Sequence, residues 1–150
     1  KLLDTFVVIK KAGEVAAEKA LITLTRNDYE PDLCFWGNEK TTGFTDETML
    51  HPAPDFIVEI LSPSTKKHDR TTKFEDYALH GIREYWIIDP DKQCVEQYAL
   101  LVPTDTTYLP YGKFFPGEDI KSIVLPEFEI PVAAIFDEKA NFEALKKMMG

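Results

Sequence analysis

Glu59 interrupts the most continuous apolar run of the chain, Phe56-Ile57-Val58-Glu59-Ile60-Leu61. A β-branched and aliphatic run of this kind reads as a central strand buried on both faces. Burying a carboxylate there costs several kcal/mol unless it is paired, hydrogen-bonded or bound to a metal. One reading gives Glu59 a structural partner, an Arg or Lys from a neighbouring helix; the other gives it a cation. Asp32 supplies a second acid, at the opening of the short strand Pro31-Asp32-Leu33-Cys34-Phe35-Trp36, where an aspartate also serves as a plain strand-start residue. Two acids on neighbouring strands could place their oxygens on one side of a sheet. Mg²⁺ needs no more than one or two carboxylates, with waters and substrate phosphate filling its other positions. Asp55 precedes Glu59 on the same run, about 13 Å away along a strand. That is too far to share a ligand shell about 2 Å in radius, so Asp55 is expected to cap the far end of the strand.

The segment after this strand carries the complementary charge. Asp69, Lys73 and Tyr77 are spaced four apart and share one face of a helix. Phe74 and Ala78 would dock that helix on the sheet and carry the Lys73 ammonium over the acids. The alternative makes Lys73 a solvated partner of Asp69, worth a few tenths of a kcal/mol. Lys66, Lys67, His68 and Arg70 form the densest positive cluster in the sequence. It is either a grip on phosphate, helped by the free N–H groups of a helix start, or a solvated helix end.

The elements that must hold these residues are legible in outline. Leu2, Leu3, Phe6, Val7 and Ile9 recur at near-helical spacing and stop at Gly13. They read as the last turns of a helix whose beginning is missing. Residues 14–19 are ambiguous, their alanines suiting a helix better than a strand. Residues 20–24 and 31–36 read as strands broken at Asn27-Asp28. Residues 37–53 connect, with a helical turn expected around Thr45 to Leu50. Ser62-Pro63-Ser64-Thr65 ends the Glu59 strand, and a helix is expected from His68 to His80 with Gly81 as its stop. Tyr85 to Ile88 reads as a buried strand closed by the turn Asp89-Pro90-Asp91-Lys92. Strands are expected over 95–102, 106–113 and 122–125, then an extended stretch to Phe136 and a terminal helix over 138–149. Strand, strand, strand, helix, strand is an α/β (α+β) order with a mixed sheet, flanked by helices and extended by antiparallel strands. One domain over 1–150 is expected.

Composition narrows the function classes. The chain is 44% hydrophobic and 29% charged, a globular balance. No apolar run approaches the roughly 20 residues that span a bilayer, and no cleavage pattern of a signal peptide follows the first residues. The two cysteines, Cys34 and Cys94, each sit in an apolar or β-like run and read as buried thiols in a reducing cytoplasm; with histidines only at 51, 68 and 80, they do not make a structural zinc site. A formal charge of −9 argues against non-specific coating of nucleic acid but leaves room for a small basic site.

Pro31-Asp32, followed by Val58-Glu59-Ile60-Leu61-Ser62, resembles the PD…(D/E)-X-K signature of restriction-endonuclease-like folds. More narrowly, Pro54-Asp55-Phe56-Ile57-Val58-Glu59-Ile60-Leu61-Ser62-Pro63-Ser64-Thr65, then Asp69, Lys73, Tyr77, Gly81 and Glu84-Tyr85-Trp86, resembles the Uma2 family of endonucleases, over about residues 13–136. The resemblance implies Asp32 and Glu59 as metal ligands, the Ile60 carbonyl as a third contact, and Mg²⁺ (Mn²⁺ substituting) as the cofactor. It departs at position 61, where the fold's usual lysine is Leu61. In the family's pattern the lysine moves to the following helix, at Lys73, with Asp69 and Tyr77 in support. The resemblance also implies DNA as substrate, a homodimer and a cytoplasmic location.

Metal-assisted phosphodiester hydrolysis is therefore the leading expectation. A catalytically silent binding or assembly module on the same fold competes with it, on the strength of the acidic charge and the absence of a separate DNA-reading motif. A small-molecule phosphohydrolase using the same acids is a third reading.

Overall fold

The structure is a computed structural model that describes residues 1–17, 20–25, 27–45, 47–48 and 50–150. In chain order its elements are α1 (Leu2–Lys10), β1 (Gly13–Ala17), β2 (Leu21–Thr23), β3 (Asp28–Tyr29), β4 (Leu33–Gly37), α2 (Asn38–Thr41), β5 (Leu50–His51) and β6 (Phe56–Ile60). Then follow α3 (Lys66–Arg70), α4 (Thr72–Leu79), β7 (Glu84–Asp89), β8 (Cys94–Ala99), β9 (Leu109–Phe114), β10 (Asp119–Lys121), β11 (Glu129–Pro131), α5 (Ala133–Phe136) and α6 (Glu138–Met149).

The main sheet has six strands in the order β1-β4-β6-β7-β8-β9. Only β6 and β7 run parallel; the other neighbours are antiparallel, and β7-β8-β9 is the expected antiparallel extension. This is the mixed α+β sheet flanked by helices that the sequence indicated. Alternation along β6 divides two cores. Phe56 and Val58 meet Leu2, Phe6, Val7 and the partly buried Ala140 and Ala144 on the α1–α6 face. Ile57 meets Tyr77, Ala78, Ile82, Tyr85 and Ile87 on the α4 face. Full burial of Ile57 and Ile87 contributes about 1.5–3 kcal/mol each. Glu59 has the parity of Ile57, so it points towards α4.

Several expectations are corrected. The ambiguous stretch resolves as strand over residues 13–17, at the edge of the sheet with Val15 opposite Phe35; pairing with β4 overrides the helix propensity of Ala16 and Ala17. The rest of the ambiguous stretch, residues 18 and 19, lies outside the described residues. Gly13 is not the stop of α1, which ends with Lys11 in the left-handed region at φ 52. Gly13 instead allows close pairing, because a Cβ there would stand 1.9 Å from the Trp36 carbonyl oxygen. β2 and β3 do not join the main sheet: β2 lies between β3 and β5 in a separate three-stranded sheet. In 37–53, the connecting helix is α2 at its start. Of the turn expected around Thr45 to Leu50, the Thr48 N–H bond to the Thr45 carbonyl is present at 3.0 Å, while residues 46 and 49 lie outside the described residues.

The helix expected over His68 to His80 is two helices, broken at Thr71, whose ψ is −85. Thr71 Oγ1 turns back to the Lys67 carbonyl at 2.7 Å, a local bond that competes with helix continuation. Gly81, at φ 74, ends α4 as expected, with the Ile82 N–H returning to the Tyr77 carbonyl at 3.1 Å. The strand expected at 122–125 is absent; β10 and β11 pair on either side of that segment. Residues 133–136 are helical rather than extended. The terminal helix α6 has the expected bounds, capped by Asp137 accepting from the Ala140 N–H at 2.8 Å.

Candidate active site

The β4–β6 ladder ends at Leu33 opposite Val58, and the next step places Asp32 opposite Glu59. There the side chains continue what the backbone began. The Asp32 N–H donates to Glu59 Oε1 at 3.0 Å, and the Ile60 N–H donates to Asp32 Oδ2 at 2.7 Å. Both carboxylates therefore meet at one end of two adjacent strands. Asp32 is half-buried, whereas Glu59 is 2% exposed.

The helices bring the rest. Lys73 Nζ and Tyr77 Oη each donate to Glu59 Oε2 at 2.9 Å. Lys73 Nζ also forms an ion pair with Asp69 Oδ1 at 2.8 Å. The i, i+4 spacing of Asp69, Lys73 and Tyr77 thus works across the break at Thr71. Asp69 is itself buried, and its carbonyl receives the Tyr85 hydroxyl at 3.0 Å. Leu61, where the fold's usual lysine would be, is buried on the Glu59 side in the α4 core.

Burial pushes the Glu59 carboxyl above its usual range, against the opposing pull of Lys73, the Asp32 amide and Tyr77. Burial also works against the Lys73 ammonium, but Asp69 and Glu59 outweigh it and hold its pKa above the ordinary value. One ammonium faces two buried carboxylates, so the lysine charge is secure and Glu59 is the group short of compensation. The same environment lifts Tyr77 well above the usual phenol range, chiefly by burial and then by Glu59, so it is a donor and not a base. Burial, with the Glu59 charge adding, pushes the Cys34 thiol up to about 12.

Asp55 lies at the opposite end of β6, where it accepts from the Gly37 N–H at 2.7 Å and pairs with Lys40 at 3.1 Å. Arg70 is committed: its guanidinium makes a two-pronged contact with Glu96, at 2.6 and 2.5 Å. Lys66 and Lys67 are exposed. The Ile60 side chain is 49% exposed on the opposite face.

A second buried acid escaped the sequence reading. Glu84, wholly buried at the start of β7, receives Ser122 Oγ, Ile123 N and Val124 N on Oε1, and Trp86 Nε1 and Gln97 Nε2 on Oε2, at 2.6–3.0 Å. Its demand for N–H donors explains why residues 122–125 are not a strand. The available signal was its place beside Tyr85-Trp86 at the start of an apolar run, weaker than the signal Glu59 gave from inside one. The two acids differ in saturation. An ionised carboxylate has about four lone-pair sites, and five donors fill those of Glu84. Glu59 takes three donors, and Asp32 takes one, on Oδ2.

That difference is the test of fit for a divalent cation. Asp32 Oδ1 has no hydrogen-bond donor among the described residues, and it belongs to a pair of hard oxygen ligands of the kind Mg²⁺ accepts. Among the described residues no group of three or more His, Cys, Asp or Glu side chains could hold a metal. The site therefore fits a cation that needs two carboxylates and fills its shell from elsewhere.

The family model of Uma2, described as "Putative restriction endonuclease", matches residues 1–133. A crystal structure described as a putative nuclease from Anabaena variabilis has a similar fold, with a TM-score of 0.72 at 21% identity, covering 96% of this chain and 75% of that one. No curated protein matches the chain. No helix among the described residues is long and apolar enough to cross a membrane.

Proposed function

The chain belongs to the Uma2 family, and from that membership we propose that it is a metal-dependent endonuclease hydrolysing phosphodiester bonds of DNA. Asp32 and Glu59 would hold the Mg²⁺, or Mn²⁺ in its place, with the Ile60 carbonyl as a further contact. When bound, the cation supplies a Lewis acid that activates water and screens the phosphate charge. The observation that carries this reading is the reciprocal bonding of Asp32 and Glu59 with Lys73 on Glu59 Oε2. It gathers two acids and one ammonium at one end of the adjacent strands β4 and β6.

The chain's own residues divide the work. Tyr77 and the Asp32 amide fix the Glu59 carboxylate. Asp69 holds Lys73 independently, so Lys73 can leave Glu59 Oε2 without losing its counter-ion. The ammonium then neutralises negative charge developing on the phosphate. Lys66 and Lys67, exposed just beyond the β6 strand, would meet backbone phosphates; Arg70 would contribute less while Glu96 holds it. A homodimer working in the cytoplasm would let both strands of a duplex be cut.

One observation favours a second reading. Lys73 is already paired with Glu59 at 2.9 Å, and an acid–lysine pair of this kind needs no metal to be tolerated in a core. On that reading the protein is a catalytically silent module. Titration calorimetry with Mn²⁺ on wild type and Glu59→Ala, beside plasmid cleavage by both, decides between them. The nuclease reading expects metal-dependent heat and cleavage in wild type, both lost in the variant. A wild type that neither binds Mn²⁺ nor cuts plasmid overturns it.

A further inference from the structure

Beyond the acidic pair, an open cleft of about 500 Å³ lies at the β8–β9 side of the sheet. Its walls include Lys66, Arg70, Lys92, Glu96, Tyr111 and Lys113. Four cations and one carboxylate thus line a single cleft on a chain whose formal charge is −9. The carboxylate is already spent. Glu96 takes the Arg70 fork on both oxygens and the Tyr98 hydroxyl on Oε1. Three exposed lysines remain, and among the described residues none of the three has an ion-pair partner. The nearby Asp89 accepts the Asp91 and Lys92 N–H groups at 3.1 Å; burial works to raise its carboxyl, but those two bonds and the Lys66 and Lys92 charges hold it below the ordinary range. Tyr111 is 55% exposed, an aromatic face offered to solvent inside a basic cleft.

The cleft is in register with the acids. Cross-strand partners run from Glu59 to Ile87, from Ile87 to Glu96 and from Glu96 to Lys113 across β6, β7, β8 and β9. Directly paired residues share a face, so Lys113 stands on the Glu59 side of the sheet, about 14 Å away at the usual strand spacing. In one strand of a duplex, successive phosphates advance about 3.4 Å along the axis. The interval therefore corresponds to on the order of four phosphates.

We propose that this cleft is a phosphodiester-binding site distinct from the acidic pair, in which Lys66, Lys92 and Lys113 contact backbone phosphates of a nucleic-acid strand and Tyr111 stacks on a base. A groove that combines backbone-tracking cations with a stacking ring is how strands are held without sequence reading. The open shape of the cleft and its alignment with Glu59 favour a strand over a small anion. The proposal rests on the nuclease reading for the strand's passage to Asp32 and Glu59; binding itself does not require those acids.

Fluorescence anisotropy in EDTA, with a labelled single-stranded oligonucleotide and its duplex over a salt series, tests the site apart from cleavage. Wild type is expected to bind with strong salt dependence. Lys92→Glu/Lys113→Glu should lower affinity at least tenfold and reduce the salt slope by about two, one for each phosphate deprived of its lysine. Tyr111→Ala should weaken single-strand binding by about tenfold with the slope unchanged. Lys139→Glu/Lys147→Glu, on α6 and the other face, changes the net charge equally and should leave affinity within about twofold. All of these side chains are exposed, and circular dichroism checks that the variants fold. Equal losses in the two charge-reversal pairs, or no binding of either oligonucleotide by wild type, overturn the cleft. Metal-dependent cleavage that survives Lys92→Glu/Lys113→Glu unchanged also overturns it while leaving the nuclease reading intact. Oligonucleotide binding without cleavage under any metal supports the cleft and defeats the nuclease reading alone.

Discussion

Asp32 and Glu59 are locked to each other's strands: the Asp32 amide donates to Glu59 Oε1 at 3.0 Å, and Asp32 Oδ2 accepts the Ile60 amide at 2.7 Å. The acids therefore serve the sheet as well as any ligand. They replace the backbone pair that would extend the β4–β6 ladder by one step, and they hold the two carboxyl groups in one relative position.

This double duty separates structural from chemical loss at Asp32. Asp32→Ala leaves the Ile60 N–H without its acceptor and should cost about 1–2 kcal/mol in urea denaturation. Asp32→Asn keeps an oxygen for that N–H and should cost under about 0.5 kcal/mol, the usual range for a change that leaves such bonds in place. On the nuclease reading both variants lose Mn²⁺ heat and at least about a hundredfold in cleavage. A stable Asp32→Asn protein that cuts plasmid at the wild-type rate would remove Asp32 from the site.

Glu84 is expected to behave in the opposite way. Its five donors come from β7, β8 and the 122–124 segment, so it ties that segment to the β7–β8 pair. Glu84→Gln turns one acceptor into an NH₂ group facing donors, and should cost about 3 kcal/mol. It should also expose residues 122–125 to limited proteolysis. Metal binding by the folded fraction should be untouched. A loss under about 1 kcal/mol would show that the surrounding N–H groups find other acceptors.

Glu59 stood out in the sequence because it interrupts an apolar run, whereas Glu84 sits at the start of one, directly after Arg83, where an exposed strand end is the ordinary reading. What satisfies Glu84 is donor supply from residues 122–124 and 97, which no local pattern reveals. The pairing of Asp32 with Glu59 was legible, since two short apolar strands close in sequence tend to become neighbours. The i, i+4 row of Asp69, Lys73 and Tyr77 was legible as well, although the break at Thr71 was hidden because the same spacing continues across it. Strand β1 was illegible because Ala16 and Ala17 favour a helix until β4 offers them a ladder. Arg70 looked free only because Glu96 is distant in sequence and arrives with the β7–β8 hairpin. Lys92 and Lys113 were invisible as a site for the same reason: each stands apart in the chain, and the register of β8 and β9 brings them to one cleft.

The Arg70–Glu96 pair makes stability depend on pH in a stated direction. Burial works to raise the Glu96 carboxyl, but the Arg70 fork, the Tyr98 hydroxyl and the Lys113 charge hold it below its ordinary 4.5. A depressed acid binds fewer protons folded than unfolded, so its stabilisation is complete above about 4.5 and is lost as pH falls through the folded value. Glu96→Gln should therefore be less stable than wild type by about 1–2 kcal/mol near neutrality, a modest figure because Arg70 is partly in solvent. Urea midpoints measured from pH 7 down to 3 should show the gap closing below about 4.5. A gap that widens on acidification would mean the pair does not hold Glu96 ionised.

The position of the ammonium can be tested by moving it. Leu61 lies two residues beyond Glu59 on the same face, about 6.6 Å along the strand, within reach of a lysine side chain placed there. Lys73→Met alone leaves Glu59 and Asp69, 2% and 1% exposed, without their shared cation and should cost about 3 kcal/mol as well as cleavage. Leu61→Lys in that background returns a positive charge to Glu59 from the strand instead of the helix. Cleavage restored to within about a hundredfold of wild type, roughly the worth of one positioned charge, would mean that the reaction needs an ammonium beside these acids and is indifferent to which element carries it. Recovery of stability without any recovery of cleavage would instead assign Lys73 to charge balance in the core.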